Sequence, residues 1–394
     1  MDQISMFECQ NREDSSRFPL RWGILEFATD LIIDPLNRKV TGFVHVLSGI
    51  ASSSSKQAAN ELLCRIHAPS TCRVFPNYES LVSDPEVDII YVATPHSHHF
   101  QNTMLALTAG KHVLCEKALA INALQASLMI SAAGKQNVFL MEGMWTRFQP
   151  ASVEIRRLVQ NDAIGKIIRI MADNSLGMNP RLDFAFGDRM IQPELGGGAL
   201  LDLGVYSIHW ILQALPPGFK HPNKVHSVTS KYTATGVDES TTIVMTFAVG
   251  PSNESSIIAV ASCSLSAGGD YDKKTPTMRI QGDKGEIQIF GRPWCPEKIL
   301  VWARDQGHDE QGSLIHQFDN VIIQNVHGLC LEADEAARCI MSGKVQSEIM
   351  PWAESLTVME ILDRVREESG LRFPGEIESV QYPRTLPTAR RCIN

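Results

Sequence analysis

Between Arg21 and Met141, short runs of β-branched and aliphatic residues alternate with stretches of helical character, and this alternation limits the fold more than any other feature. The strand-like runs are Arg21 to Leu25, Phe43 to Ala51, Val87 to Thr94, His112 to Cys115 and Val138 to Met141. Helix-like segments such as Lys56 to Ile66, His99 to Ala109 and Asn122 to Gly134 lie between them. Strands separated by helices predict a parallel sheet with crossover connections. The runs IIYVATP and HVLCEK are apolar almost throughout, as strands covered on both faces must be, and their polar residues gather at the carboxyl ends. In open α/β sheets that edge is where ligands bind.

The pattern changes after Trp145. A helix over Pro150 to Gln160, an isolated strand near Lys166 to Ala172 and a helix over Ala199 to Leu215 lead into several alternating strands from Lys224 to Phe290. Strands in succession without helices imply an antiparallel sheet. Two amphipathic helices, Leu329 to Met341 and Pro351 to Glu368, follow. The 394 residues exceed what one core holds, so two domains are expected. These are a Rossmann-like domain over 21–145 and an α/β domain with a large, mostly antiparallel open sheet over 146–375, flanked by a disordered extension, 1–20, and a tail, 376–394.

A net charge of -8 with no basic stripe argues against nucleic-acid binding and leaves small molecules as the expected partners. The nine cysteines are odd in number and contain no CxxC pair, which reads as reduced thiols and a cytoplasmic protein. The start of the chain lacks a signal peptide's basic and apolar regions, and no uncharged apolar run is long enough to span a bilayer, so no membrane association is expected.

Three constellations carry candidate chemistry. His96, His98 and His99 in ATPHSHHF stand where a buried strand gives way to a helix; they read either as a helix-start turn or cofactor-contact loop, or as metal ligands, and the strand-end spacing favours no metal. Glu116 and Lys117 end the strand of VLCEKALA, where a lysine either serves proton transfer beside a ligand or is simply ion-paired. In PELGGGALLDLGVYSIHW, Gly196 to Gly198 allow close backbone approach, and a following helix places Asp202 and Tyr206 at i and i+4 on one face, as an acid/base pair or as packing residues. His209 reads as structural.

At these residues the chain resembles the glucose-fructose oxidoreductase and inositol dehydrogenase family, in particular its branch of dimeric dihydrodiol dehydrogenases and fungal NADP-dependent D-xylose dehydrogenases. The resemblance runs from about Arg21 to Pro374 and rests on VDIIYVATPHSHHFQNTMLAL, GKHVLCEKA, MEGMWTRFQP, RMIQPELGGGALLDLGVY, EADEAARCIMSGK and MEILDRVREESGLRFP in that order. It implies a Rossmann domain followed by an α/β domain whose open sheet forms a homodimer contact. It implies catalytic roles for Lys117, Asp202 and Tyr206, with Ala118 in place of the family's proline after the lysine. It further implies cofactor contacts at Thr94, Pro95, His99 and Glu116, and substrate contacts at Trp145, Arg147 and Arg189. A tyrosine beside a cationic lysine is expected to have its anion stabilised enough to accept a hydroxyl proton.

Cofactor choice is read at the end of the second strand. Enzymes using NAD place an acidic residue there against the ribose 2'-hydroxyl, whereas this chain has ASSSSK; Ser52, Ser53 and Lys56 offer hydroxyls and a cation, which favours NADP over NAD, although a serine-rich helix cap would look the same. The first strand departs from the pattern: no glycine occurs between Gly23 and Gly42, so the loop that brings backbone amides to a pyrophosphate is expected to be missing, and Glu26 is expected to add negative charge nearby. The function expected is an NADP-dependent oxidoreductase acting on a sugar or cyclic diol hydroxyl. The alternative is a member of impaired catalysis acting as a binding or subunit-interaction protein; a metal-dependent hydrolase or lyase rests on the HSHH run alone.

Overall fold

The structure is a computed structural model and describes residues 17–26, 42–53, 56–66, 68–185, 187–216, 221–249, 255–268, 274–304, 312–320 and 328–386. Its first layer is a six-stranded parallel sheet in the order β3-β2-β1-β4-β5-β6. The strands are β1 (Phe18–Leu25), β2 (Phe43–Ala51), β3 (Arg73–Phe75), β4 (Ile89–Val92), β5 (His112–Glu116) and β6 (Leu140–Gly143). Helices α1 (Lys56–Arg65), α2 (Tyr78–Val82), α3 (His96–Thr108) and α4 (Ala123–Gln136) connect them. All four residues of β4 are buried, as expected for a strand covered on both faces. Local chemistry sets the helix ends: Asn122 caps α4 by accepting from the Gln125 N–H at 2.9 Å, and Asn137 closes it in the left-handed region.

Two expectations are corrected here. β1 begins at Phe18, so the residues just before Arg21 belong to the sheet, not to a disordered extension. β3 and α2 were not foreseen, because a three-residue strand and a five-residue helix are too short for a periodic signal. The segment predicted to have lost its glycine loop, 27–31, lies outside the described residues, as does most of the N-terminal extension.

The second layer is an eight-stranded sheet in the order β14-β13-β12-β11-β7-β10-β9-β8, antiparallel except for the parallel pair β7 and β10. Its members are β7 (Ile167–Ser175), β8 (Lys224–Lys231), β9 (Asp238–Val249), β10 (Ser255–Ser264), β11 (Met278–Gly282), β12 (Gly285–Arg292), β13 (Cys295–Ala303) and β14 (Ser313–Asp319). Helices α5 (Pro150–Gln160) and α6 (Val205–Ala214) cover one face, alternate residues such as Ile243, Met245 and Phe247 turning inward to meet them. Pro193–Ala214 is long and apolar enough to cross a membrane, but its 18-residue apolar stretch is wholly buried, which makes it the core of this layer.

The chain then returns to the first sheet through α7 (Cys330–Met341) and α8 (Trp352–Glu368). The Leu140 N–H of edge strand β6 donates to Val345 O at 3.0 Å, and the Trp352 indole donates to Leu140 O at 2.8 Å. After the short α9 (Gly375–Glu378) the last described residues lie on α3 and α4: Gln125 Nε2 donates to Ile377 O and Ser379 O at 2.7 and 2.9 Å, and Gln101 bonds Gln381 and Arg384.

Candidate active site

The carboxyl ends of β4 and β5 face the glycine-bearing segment that precedes α6. Gly196 makes that approach possible, since a β-carbon on it would lie 2.6 Å from Ile121 Cδ1 and 3.0 Å from His96 Cβ, and Gly197 and Gly198 let the segment pack against its own layer. A β-carbon on Gly197 would lie 2.5 Å from the Arg189 carbonyl oxygen, and one on Gly198, whose φ is +115°, would lie 2.1 Å from Asp238 Oδ1. Asp238 accepts from the Leu200 N–H at 2.5 Å and fixes the start of the next turn. That turn, Leu200–Gly204, is a π-turn joined directly to α6, so Asp202 and Tyr206 do not share one regular α-helix as predicted. Both nevertheless reach Lys117.

Lys117 leaves β5 and donates from Nζ to the carboxylate oxygen Oδ1 and the carbonyl oxygen of Asp202, both at 2.8 Å. Asp202 Oδ1 also accepts from Arg189 Nη1 at 2.9 Å, and His96 Nε2 stands 3.9 Å away. Burial alone would raise the Asp202 carboxyl, but the charges of Lys117 and Arg189 outweigh it and hold the group well below the usual carboxylate range. Asp202 is therefore a fixed anion, and it aims the lysine.

The Lys117 ammonium lies 5.0 Å from the centroid of the Tyr206 ring. The Tyr206 hydroxyl accepts from Trp145 Nε1 at 2.7 Å. Burial, then the charge of Glu116, pushes the Tyr206 phenol well above its ordinary value. This corrects the expectation that the neighbouring lysine would ease its ionisation: in the free protein the phenol keeps its proton. Glu116 is itself raised by burial and accepts from the Tyr91 hydroxyl and from the Lys117 N–H.

The three histidines do not converge. His96 sets its ring nitrogens against Gly196 O and Lys117 O at 3.0 and 3.1 Å, His99 against Ala118 O and Thr94 O, both at 2.8 Å, and His98 Nδ1 pairs with Ser97 Oγ. Burial, with His99 adding to it, pushes His96 down to about 3, so its ring is neutral at ordinary pH. His96 and His99 thus hold the backbone around Lys117, and Thr94 Oγ1 accepts from Asn102. Pro95 precedes the first turn of α3. Among the described residues no group of three or more His, Cys, Asp or Glu is arranged to hold a metal.

Arg147 does not join this cluster. Its guanidinium is buried, paired with Glu354 and bonded to Ile349 O at 2.9 Å. His209 lies between Glu142 and Glu354, with separations of 3.6 and 3.9 Å.

At the end of β2, Ser52 Oγ and the Ser53 N–H both donate to the carboxylate of Glu26, at 3.3 and 2.6 Å, and the Tyr78 hydroxyl donates to it as well. The Lys56 side chain lies outside the described part of the structure. Glu26 and Tyr78 were not foreseen as partners of the serines, because they meet only through the parallel register of β1 and β2, which pairs Leu25 with Ala51. The chemistry of this donor set, two hydroxyls and one backbone N–H, suits an anionic group such as the phosphate of a dinucleotide.

Comparison with known proteins places these features. Residues 27–144 match the oxidoreductase family with an NAD-binding Rossmann fold, and residues 152–288 match the GFO/IDH/MocA C-terminal domain. The chain is 41% identical to the D-xylose 1-dehydrogenase (NADP(+)) of Hypocrea jecorina over 94% of this chain and 97% of that one. It is 34% identical to a trans-1,2-dihydrobenzene-1,2-diol dehydrogenase of Danio rerio, over 76% of this chain and 83% of that protein. In fold it is similar to a levoglucosan dehydrogenase solved with NADH and levoglucosan, with a TM-score of 0.72, 19% identity and coverage of 89% of this chain and 97% of that one. With the parallel sheet, the open antiparallel sheet and the lysine-centred site in one arrangement, the chain belongs to the GFO/IDH/MocA family of oxidoreductases.

Proposed function

We propose that this protein is an NADP-linked dehydrogenase that oxidises a hydroxyl of an aldose such as D-xylose, or of a cyclic diol, with Lys117, Asp202 and Tyr206 as its catalytic set. The bound nicotinamide would supply the hydride chemistry. The observation that carries the reading is the bond inventory around Lys117. An ammonium has three donors and Asp202 takes two, which leaves one N–H for a substrate oxygen. Tyr206 accepts from Trp145, which leaves its own O–H free for the same oxygen. Arg189, half exposed and anchored on Asp202, stands on the same carboxylate as Lys117, where its remaining N–H groups can serve a sugar's further hydroxyls.

Because Tyr206 rests protonated, it is a ready donor to an oxygen in the reducing direction. In the oxidising direction its proton must first leave, so kcat/KM for oxidation should climb with pH and still be climbing at about pH 10, without a plateau below it. Tyr206→Phe should lower kcat by about 10²- to 10⁴-fold. NADPH fluorescence titration of the same variant should give unchanged binding. Turnover of neither D-xylose, other aldoses nor cyclic diols by the wild-type protein with NADP would rule the reading out. The coverage of nearly the whole fungal relative weighs against a member that has lost turnover.

A second copy of the chain is the partner we assign, in the cytoplasm. The outer face of the eight-stranded sheet supports it: Val228, Val244, Ile258 and Leu314 stand on it 80%, 41%, 46% and 47% exposed.

A further inference from the structure

Glu26 is the first residue after β1. Its backbone N–H donates to Ala51 O at 3.0 Å, which turns the side chain toward the end of β2. Its φ is +70°, a conformation that favours glycine and strains most other residues. Something has to hold it there. What holds it is the donor set already described: Oε1 accepts from the Ser53 N–H and the Tyr78 hydroxyl, and Oε2 from Ser52 Oγ. Ser52 is buried, and Tyr78 is half-buried with its phenol raised by burial and then by the Glu26 charge, so the hydroxyl stays a donor.

A carboxylate and a phosphate monoester ask the same of such a set: acceptor oxygens carrying negative charge, met by hydroxyls and a backbone N–H. Two anions cannot share three donors, because like charges at hydrogen-bonding separation repel and each would leave the other short of partners. Glu26 therefore occupies the donors that the cofactor reading above gives to the ribose 2'-phosphate. We propose that Glu26 is a tethered competitor for that phosphate and weakens the preference of this chain for the phosphorylated cofactor. A dinucleotide with a 2'-phosphate must displace the carboxylate before it binds, whereas one with a free 2'-hydroxyl can donate to it and leave it in place.

This inference rests on the proposed NADP-linked function, and one experiment separates their failures. NADPH, NADH, 2',5'-ADP and 5'-AMP are titrated by calorimetry into the full-length wild-type protein, Glu26→Gln and Glu26→Ala, with thermal melts confirming that each variant is folded. Gln keeps the size and removes the charge; Ala removes the group. Both variants are expected to bind NADPH and 2',5'-ADP at least about tenfold more tightly than wild type, equivalent to 1.4 kcal/mol. NADH and 5'-AMP should change less than about threefold. If all affinities shift together, or NADPH affinity is unaltered while wild type binds it, Glu26 is no competitor and the dehydrogenase reading stands. If neither wild type nor the variants bind any dinucleotide, both the inference and the function it rests on are overturned.

Discussion

A methyl group at position 198 has nowhere to go. The space it needs is filled by Asp238 Oδ1, and the φ of +115° disfavours every side chain. Asp238 has little freedom to yield: it is buried, holds the Leu200 N–H, and has its carboxyl raised by burial to about 7. Gly198→Ala should therefore lose more than about 2 kcal/mol in urea denaturation, and the displaced turn should weaken catalysis further because it carries Asp202. The same residues show what one sequence can reveal. Lys117, Asp202 and Tyr206 were legible because each sits at a fixed place beside a strand exit or a glycine run, and the fold brings those places together. The tie between Glu26 and the serines was not, since a carboxylate expected to repel phosphates is instead satisfied by hydroxyls from other segments. Arg147 misled for the opposite reason: next to a site tryptophan in sequence, its side chain turns to α8.

At the scale of elements, that turn has a use. The short turn Trp145–Phe148 leads from β6 into α5, and the pair of Arg147 and Glu354 ties it to α8. Burial would raise the Glu354 carboxyl, but Arg147 and His209 outweigh it and bring the group down to about 2. A folded-state value below the ordinary 4.5 means that the stability from this pair is complete above about pH 4.5 and drains away as pH falls toward 2. Arg147→Met leaves Glu354 without its cation and should cost about 3 to 5 kcal/mol near neutral pH. That difference from wild type should shrink as denaturation is repeated at successively lower pH below 4.5; a constant gap would mean that lost packing, not charge, accounts for it. The helices of the second layer were read closely because their apolar periodicity is long. The π-turn at Leu200–Gly204 was invisible, since inserting one residue into a turn leaves the apolar pattern almost unchanged.

At the scale of the whole molecule, the eight-stranded sheet has one face under helices and the other open. On the open face Val244 lies opposite Val260, and Ile258 opposite Thr246, in adjacent strands. Introducing charge there, as Val244→Glu with Ile258→Lys, should shift sedimentation from dimer to monomer while far-ultraviolet circular dichroism is retained. A monomeric wild-type protein would remove the basis for that partner. The two-layer architecture could be read from the order of element types, but the return of the chain to its first layer could not, because it depends on individual hydrogen bonds to Leu140, Gln101 and Gln125.

That return has a consequence for how the protein is made. The nucleotide-binding layer is encoded first, yet its outer helices wait for residues 377–384, and the edge of its sheet waits for Val345 and Trp352. On the ribosome the first layer would emerge with an open sheet edge and bare helix faces until residues 345–384 follow. Its maturation is tied to the synthesis of that later segment, and a chain cut short before it would be exposed to chaperones and proteases.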